Sequence, residues 1–366
     1  MIIGDIISLL EGQAPPSLQE DYDNAGLITG QADQVCTGVL ISLDATEEVI
    51  REAVDRKCNL VISHHPIVFK GLKKINGKNY VERALILAIK HDIALYAIHT
   101  NLDNVINGVN GKMADMLGLV NRRVLSPKPG LLEKLAVFVP HAHREKLLES
   151  LFAAGAGKIG NYSECSFWVE GAGSFNGNEQ SNPVIGEKGR RHIEPETRVE
   201  VIFPHWLRHK VLSAMRSAHP YEEIAYDLFS LQNHHQMIGS GIIGELPQTL
   251  GREAFFGQLK EAFDLPLIRY AGPEKKLVRK VALCGGAGSF LIPVAKAAGA
   301  DAYVTADLKY HEFFDAEEQL LLADIGHYES EQFTIDWLFD ILQENFPNFA
   351  VLKTGINSNP VRYFIR

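Results

Sequence analysis

Short, nearly unbroken apolar runs recur along this chain, and several of them end at a histidine. Leu60–Ser63 runs into His64-His65, Ile93–Ile98 into His99, and Leu320–Ile325 into Gly326-His327. Such runs, separated by amphipathic segments of helical period, predict strands buried on both faces of a parallel sheet. In the first part of the chain, helices over Ile2–Leu10, Thr46–Arg56 and Val81–His91 interleave with strands over Gly38–Leu43, Leu60–Ser63 and Ile93–Ile98. Thr46 and Glu48 stand where an amino-terminal helix cap belongs.

The same order returns near the end. A helix over Arg252–Phe263 precedes a strand over Lys280–Leu283, a glycine turn and a helix over Leu291–Ala298. Strands over Ala302–Thr305 and Leu320–Ile325 follow, then an amphipathic helix over Glu331–Asn345. The recurrence predicts an internal duplication, two similar α/β lobes facing across a cleft. Between them the character changes at the breaker cluster Ser126–Gly130. Strand Leu135–Val139, helix Arg144–Ala153 and strand Cys165–Glu170 lead into a glycine-rich mobile hairpin or loop, Gly171–Gly189. Strand Thr197–Phe203, helix Leu207–Ser217 and strand Ile224–Ser230 complete two β-α-β units, which describe a ferredoxin-like α+β module. The expected fold is therefore α/β, with a discontinuous two-lobed metal-binding domain at 1–126 plus 239–366. A ferredoxin-like domain is inserted at 127–238.

Composition narrows the class. A chain of 366 residues exceeds one ordinary core. No apolar run is long enough to span a bilayer, and the start, Met-Ile-Ile-Gly-Asp, lacks a basic region, so no secretory signal is expected there. Four scattered cysteines without a C-x-x-C pair fit a reducing, cytoplasmic setting. The net charge of −9 argues against broad binding of nucleic acid.

The chemistry-bearing residues cluster at the strand ends. Neighbouring side chains on a strand point to opposite faces, and Pro66 holds His65 extended, so His64 and His65 suit two different ions better than one. His99-x-x-x-Asp103 and His327-x-x-x-Glu331 repeat one spacing, and in the second it spans a helical turn. Two cations at dinuclear distance need a bridging carboxylate or hydroxide, and Asp103 and Glu331 are both available. Imidazoles mixed with carboxylates suit zinc first, with manganese, iron, cobalt or nickel as alternatives, over calcium or magnesium. His99 is the acid/base candidate, with direct ligation or orientation of a ligand left open. The remaining histidines have no comparable setting. Two weaker signals are Cys284-Gly-Gly-Ala-Gly-Ser289, a turn whose amides could cradle a phosphate, and Asp23 with Asn24 as substrate contacts.

Ser63-His-His-Pro66, His99-Thr-Asn-Leu-Asp103, Asp21-Tyr-Asp-Asn-Ala-Gly26 and Gly326-His-Tyr-Glu-Ser-Glu331 together resemble the Nif-three-like family, whose bacterial members are labelled GTP cyclohydrolase 1 type 2 homologues. The resemblance implies a toroidal homohexamer, a dimer of trimers, with a two-metal site between lobes. It implies His64, His65, Asp103, His327 and Glu331 as ligands and Glu331 as the bridge. His219-Pro-Tyr-Glu222 and the double β-α-β layout are similar to the CutA/PII-like module, which implies assembly or small-ligand sensing. The expected activity is metal-dependent hydrolysis of a nucleotide or phosphoester. The alternative is a non-catalytic metal-binding scaffold or sensor.

Overall fold

The structure is a computed structural model and describes residues 1–364. The chain divides into two compact units, one formed by Met1–Pro127 together with the chain from Met237 onward, the other by Lys128–Gln236. In the first part of the larger unit lie β1 (Gly26–Thr29), β2 (Val39–Asp44), β3 (Leu60–His65), β4 (Ala94–Ala97) and β5 (Val120–Pro127). The smaller unit carries β6 (Leu132–Pro140), β7 (Ser166–Phe175), β8 (His192–Pro204) and β9 (Tyr226–Leu231). The larger unit resumes with β10 (Gly239–Gly251), β11 (Arg269–Ala271), β12 (Leu277–Ala287), β13 (Ala302–Ala306), β14 (Leu321–Asp324) and β15 (Val351–Lys353).

The larger unit contains two sheets. In the first, ordered β1-β4-β3-β2-β15, the run β4-β3-β2-β15 is parallel and β1 is antiparallel to β4. In the second, ordered β11-β14-β13-β12-β10-β5, the central β14-β13-β12 is parallel and the flanking strands are antiparallel. The parallel strands are buried almost throughout, as their unbroken apolar runs require. The protein is thus a mixed α/β structure with several sheets.

Helices follow the expected periods. Glu47–Asp55 starts at Thr46, whose hydroxyl accepts the Val49 amide at 3.3 Å. Arg252–Phe263 buries Phe255, Leu259 and Phe263, one residue per turn, against the second sheet. In the smaller unit all neighbouring strands in the order β7-β8-β6-β9 are antiparallel, and helices Arg144–Ala153 and Arg208–Ala218 cover the face carrying Leu135, Val137, Val199 and Val201. Gly171–Phe175, the start of the segment expected as a hairpin or loop, extends the β7 ladder against β8.

Two expectations change, and one strand is unforeseen. The helix over Glu331–Asn345 is two helices, His327–Glu331 and Thr334–Asn345. The break falls where Phe333 turns onto Phe263, with ring centroids 6.2 Å apart. Cys284–Ala287 is strand, not turn, because β12 continues through it. A short strand, β15, late in the chain joins the first sheet beside β2. Phe263 is fully buried, so Phe263→Ala is expected to destabilise the larger unit by about 3–5 kcal/mol, read as a lower urea midpoint by circular dichroism.

Candidate metal centre

The carboxyl ends of β2, β3, β4, β13 and β14 carry the polar side chains. His64 and His65 are the last residues of β3, and Asp44 is the last of β2. His99 follows β4 and caps the short helix Thr100–Asp103. Asp307 follows β13, and His327 opens the short helix after β14 that ends at Glu331. Ligand sites collect at strand carboxyl ends in open α/β sheets.

Each of the four imidazoles is held by its Nδ1. His64 Nδ1 donates to the Ile98 carbonyl at 2.8 Å. His65 Nδ1 bonds Asp44 Oδ1 at 2.8 Å, His99 Nδ1 bonds Asp23 Oδ1 at 2.8 Å, and His327 Nδ1 bonds Asp307 Oδ2 at 2.7 Å. Such partners fix the ring and leave Nε2 as the free donor atom, the arrangement that accompanies metal-ligating histidines. The Nε2 atoms of His65 and His327 are 3.3 Å apart, and both approach Glu331 Oε2, at 2.9 and 3.1 Å. His64 Nε2 stands 3.6 Å from Asp103 Oδ1 and 3.9 Å from Glu331 Oε2. The His99 ring lies edge-on to those of His64 and His65, at 5.2 and 5.3 Å. Three groups within this set could hold an ion: His64-His65-His99, His65-His327-Glu331 and His64-Asp103-Glu331. Among the described residues, no other histidine belongs to such a group.

Charge and burial are in tension here. Burial opposes ionisation of Glu331, yet His327 and His65 outweigh it and hold its carboxyl well below the usual range. Burial, and then Glu331, push Asp103 well above it. Burial likewise opposes charge on His65 and His327, but the carboxylates prevail and raise them to about 9 and about 11. His64, fully buried, is driven down to about 3 by desolvation.

His64 Nε2 tests whether a cation fits. It is buried, and no described residue hydrogen-bonds to it. Leaving such an atom unpaired costs about 1–3 kcal/mol. Its separations from the two carboxylates match those of donors sharing one ion, which at about 2.0–2.2 Å each stand roughly 3–4 Å apart. The donor set therefore fits a divalent ion.

The glycines in β12 make room for this set. A Cβ on Gly286 (φ 59°) would meet Glu331 Oε1 at 2.4 Å. The Gly285 amide donates to Asn110 Oδ1 and the Gly286 amide to Ser330 Oγ. These two amides are committed within the protein, which leaves them unavailable for the phosphate that the sequence allowed there. Asp23 is corrected too. Besides His99 it accepts from the Thr100 amide at 3.0 Å and the Thr100 hydroxyl at 2.5 Å, so it orients rather than reads a substrate. Burial opposes its charge, but the bonds to His99 and Thr100 lower it to about 2. Asn24 Nδ2 is bonded to the Val68 carbonyl at 2.7 Å. Sequence reasoning missed Asp44, Asp307 and the Ile98 carbonyl; two acids closing apolar runs were the only available signal.

For a centre that holds a divalent ion, Asp44→Asn is expected to weaken binding about 10–100-fold, measured by calorimetric titration with zinc. Because His65 and His327 are protonated below about 9 and about 11 in the ion-free protein, ion entry must expel protons. Titration at pH 7 in buffers of different ionisation enthalpy is expected to show about two protons released per protomer, and affinity should rise with pH through that range.

The sequence matches the Duf34/NIF3 (NGG1p interacting factor 3) family over residues 1–360. It is 39% identical over 363 residues to the GTP cyclohydrolase 1 type 2 homolog of Halalkalibacterium halodurans, covering 98% of each chain. It is 39% identical over 325 residues to the protein of the same name in Bacillus subtilis, covering 88% of this chain and 87% of that one. A Bacillus cereus protein related to NIF3 superposes with a TM-score of 0.87 at 38% identity, covering 100% of this chain and 99% of the other. The chain belongs to the Duf34/NIF3 family.

Proposed function

We propose that this protein is a metal-dependent hydrolase built on a dinuclear centre, with zinc as the foremost candidate ion. His64, His65, Asp103, His327 and Glu331 would hold the two ions. The reading rests on Glu331 Oε2, which is within reach of His65 and His327 on one side and His64 on the other. One carboxylate between two donor groups is what two close cations need to offset their repulsion. Divalent cations bound there supply Lewis acidity and lower the pKa of water. The side chains do the rest. Asp23 holds His99 in the tautomer whose Nε2 lone pair is free, so His99 can take a proton and return it to a leaving group. Asp44 and Asp307 keep the His65 and His327 rings aimed inward.

The proposal extends to architecture. The parallel runs β4-β3-β2 and β14-β13-β12, one in each sheet, read as an internal duplication. Lys128–Gln236 reads as an inserted ferredoxin-like, CutA/PII-like module, from its β-α-β-β-α-β order and antiparallel arrangement. A homohexamer, a dimer of trimers, and a cytoplasmic location go with that reading. Among the described residues no helix is long and apolar enough to cross a membrane.

Glu331→Gln is expected to lower metal content and to cut turnover by at least ~10²-fold, since it removes an ion-holding carboxylate. Elemental analysis beside a screen of nucleotides and phosphoesters checks this. Full activity with full metal content in Glu331→Gln would overturn the assignment. Wild-type protein that holds metal and turns over no substrate class would make it a scaffold or sensor.

A further inference from the structure

The cleft around the centre has a volume of about 1300 Å³, and aromatic and acidic side chains line it. Tyr22, Phe69, Tyr80 and Phe290 line it with 71%, 49%, 63% and 62% of their surface exposed. Exposed rings lining one cavity are apolar surface of the kind that marks a binding site. Phe69 ties this patch to the centre, its ring edge-on to His99 at 5.7 Å. Flat apolar faces suit a flat ligand, because ring stacking is sequence-tolerant and requires only a π-face.

The charged groups point the same way. Glu20, Asp44, Asp103, Asp307, Asp324, Glu329 and Glu331 all line the cleft. Among the described residues the only lysine or arginine there is Arg269. Its guanidinium is committed to Asp324 at 3.1 Å and the Leu308 carbonyl at 2.9 Å, and it lies over the Phe313 ring. Seven carboxylates against one engaged guanidinium leave the walls net negative, even beside two divalent ions. Beyond reach of the ions, a triphosphate tail would meet repulsion, with no free lysine or arginine among the lining residues to hold it. Carboxylates are also acceptors, so the complementary ligand presents N–H donors.

We infer that the cleft takes a planar, amino-bearing nitrogen heterocycle without phosphate, stacked on the aromatic wall with its reacting carbon turned to the histidines. This deepens the hydrolase reading and rests on it for the reacting carbon alone. It separates the substrate from the nucleoside triphosphate that the relatives' name suggests.

The test uses full-length, zinc-loaded protein and calorimetric titration with guanosine, adenosine and cytidine, each paired with its triphosphate. At least one nucleoside is expected to bind as tightly as its triphosphate or tighter. Phe69→Ala and Tyr80→Ala, both at exposed positions, are each expected to weaken that binding about tenfold without changing zinc content. Tighter binding of the triphosphates, no binding of any nucleoside, or unchanged affinity in both variants would overturn the inference. Protein that takes no zinc but still prefers nucleosides keeps the inference and removes the hydrolase reading. Protein that holds zinc and prefers triphosphates does the reverse.

Discussion

The buried carboxylate of Glu331 is the contact on which the centre depends, because it draws together groups from both sheets of the larger unit. Unpaired, such a charge in the interior would cost several kcal/mol. Here the imidazoles of His65 and His327 stand against it, and their positive charge holds it ionised. The same carboxylate dictates the backbone opposite. At Gly286 a Cβ would meet the Glu331 carboxylate that the imidazoles hold in place. A left-handed conformation that glycine adopts freely thus becomes part of the site's shape.

The outer contacts extend this logic. Three carboxylates and one backbone carbonyl hold four Nδ1 atoms, so ring orientation does not depend on whatever fills the middle. Gly326 repeats the pattern beside the site. Its φ is 92°, and a Cβ there would strike Glu329 Oε2 at 2.2 Å. Glu329 in turn accepts from Asn359 and Tyr363. Preorganisation of this sort is what separates a site from a chance cluster of polar residues.

Much of this was legible because it is local. The apolar run before His64 and His65 forms β3 and leaves both histidines at its carboxyl end. The helix over Arg252–Phe263 has its expected bounds, since one buried aromatic or aliphatic per turn is a strong signal. The spacing from His327 to Glu331 forms one helical turn, though the helix stops there. What escaped reading is non-local. Asp44 and Asp307 carry no mark that says which histidine they meet. The Ile98 carbonyl has no residue-type signature at all. Gly285 and Gly286 looked like a turn because glycine marks tight turns and close approaches alike. β15 is three residues long, and only its partner β2 makes it a strand.

β15 also sets an order of events. Residues 351–353 lie beside β2 in the first sheet, and Ser358 just beyond donates to Asp44 Oδ2 at 2.5 Å, bracing the carboxylate that holds His65. These residues leave the ribosome after every other strand of both sheets. During synthesis β2 therefore waits as an open edge, a template for mispairing until its late neighbour arrives. The centre is finished by a segment made after all of its histidines, so a protein cut short before residue 351 would keep its histidines but lack part of the frame that aims them.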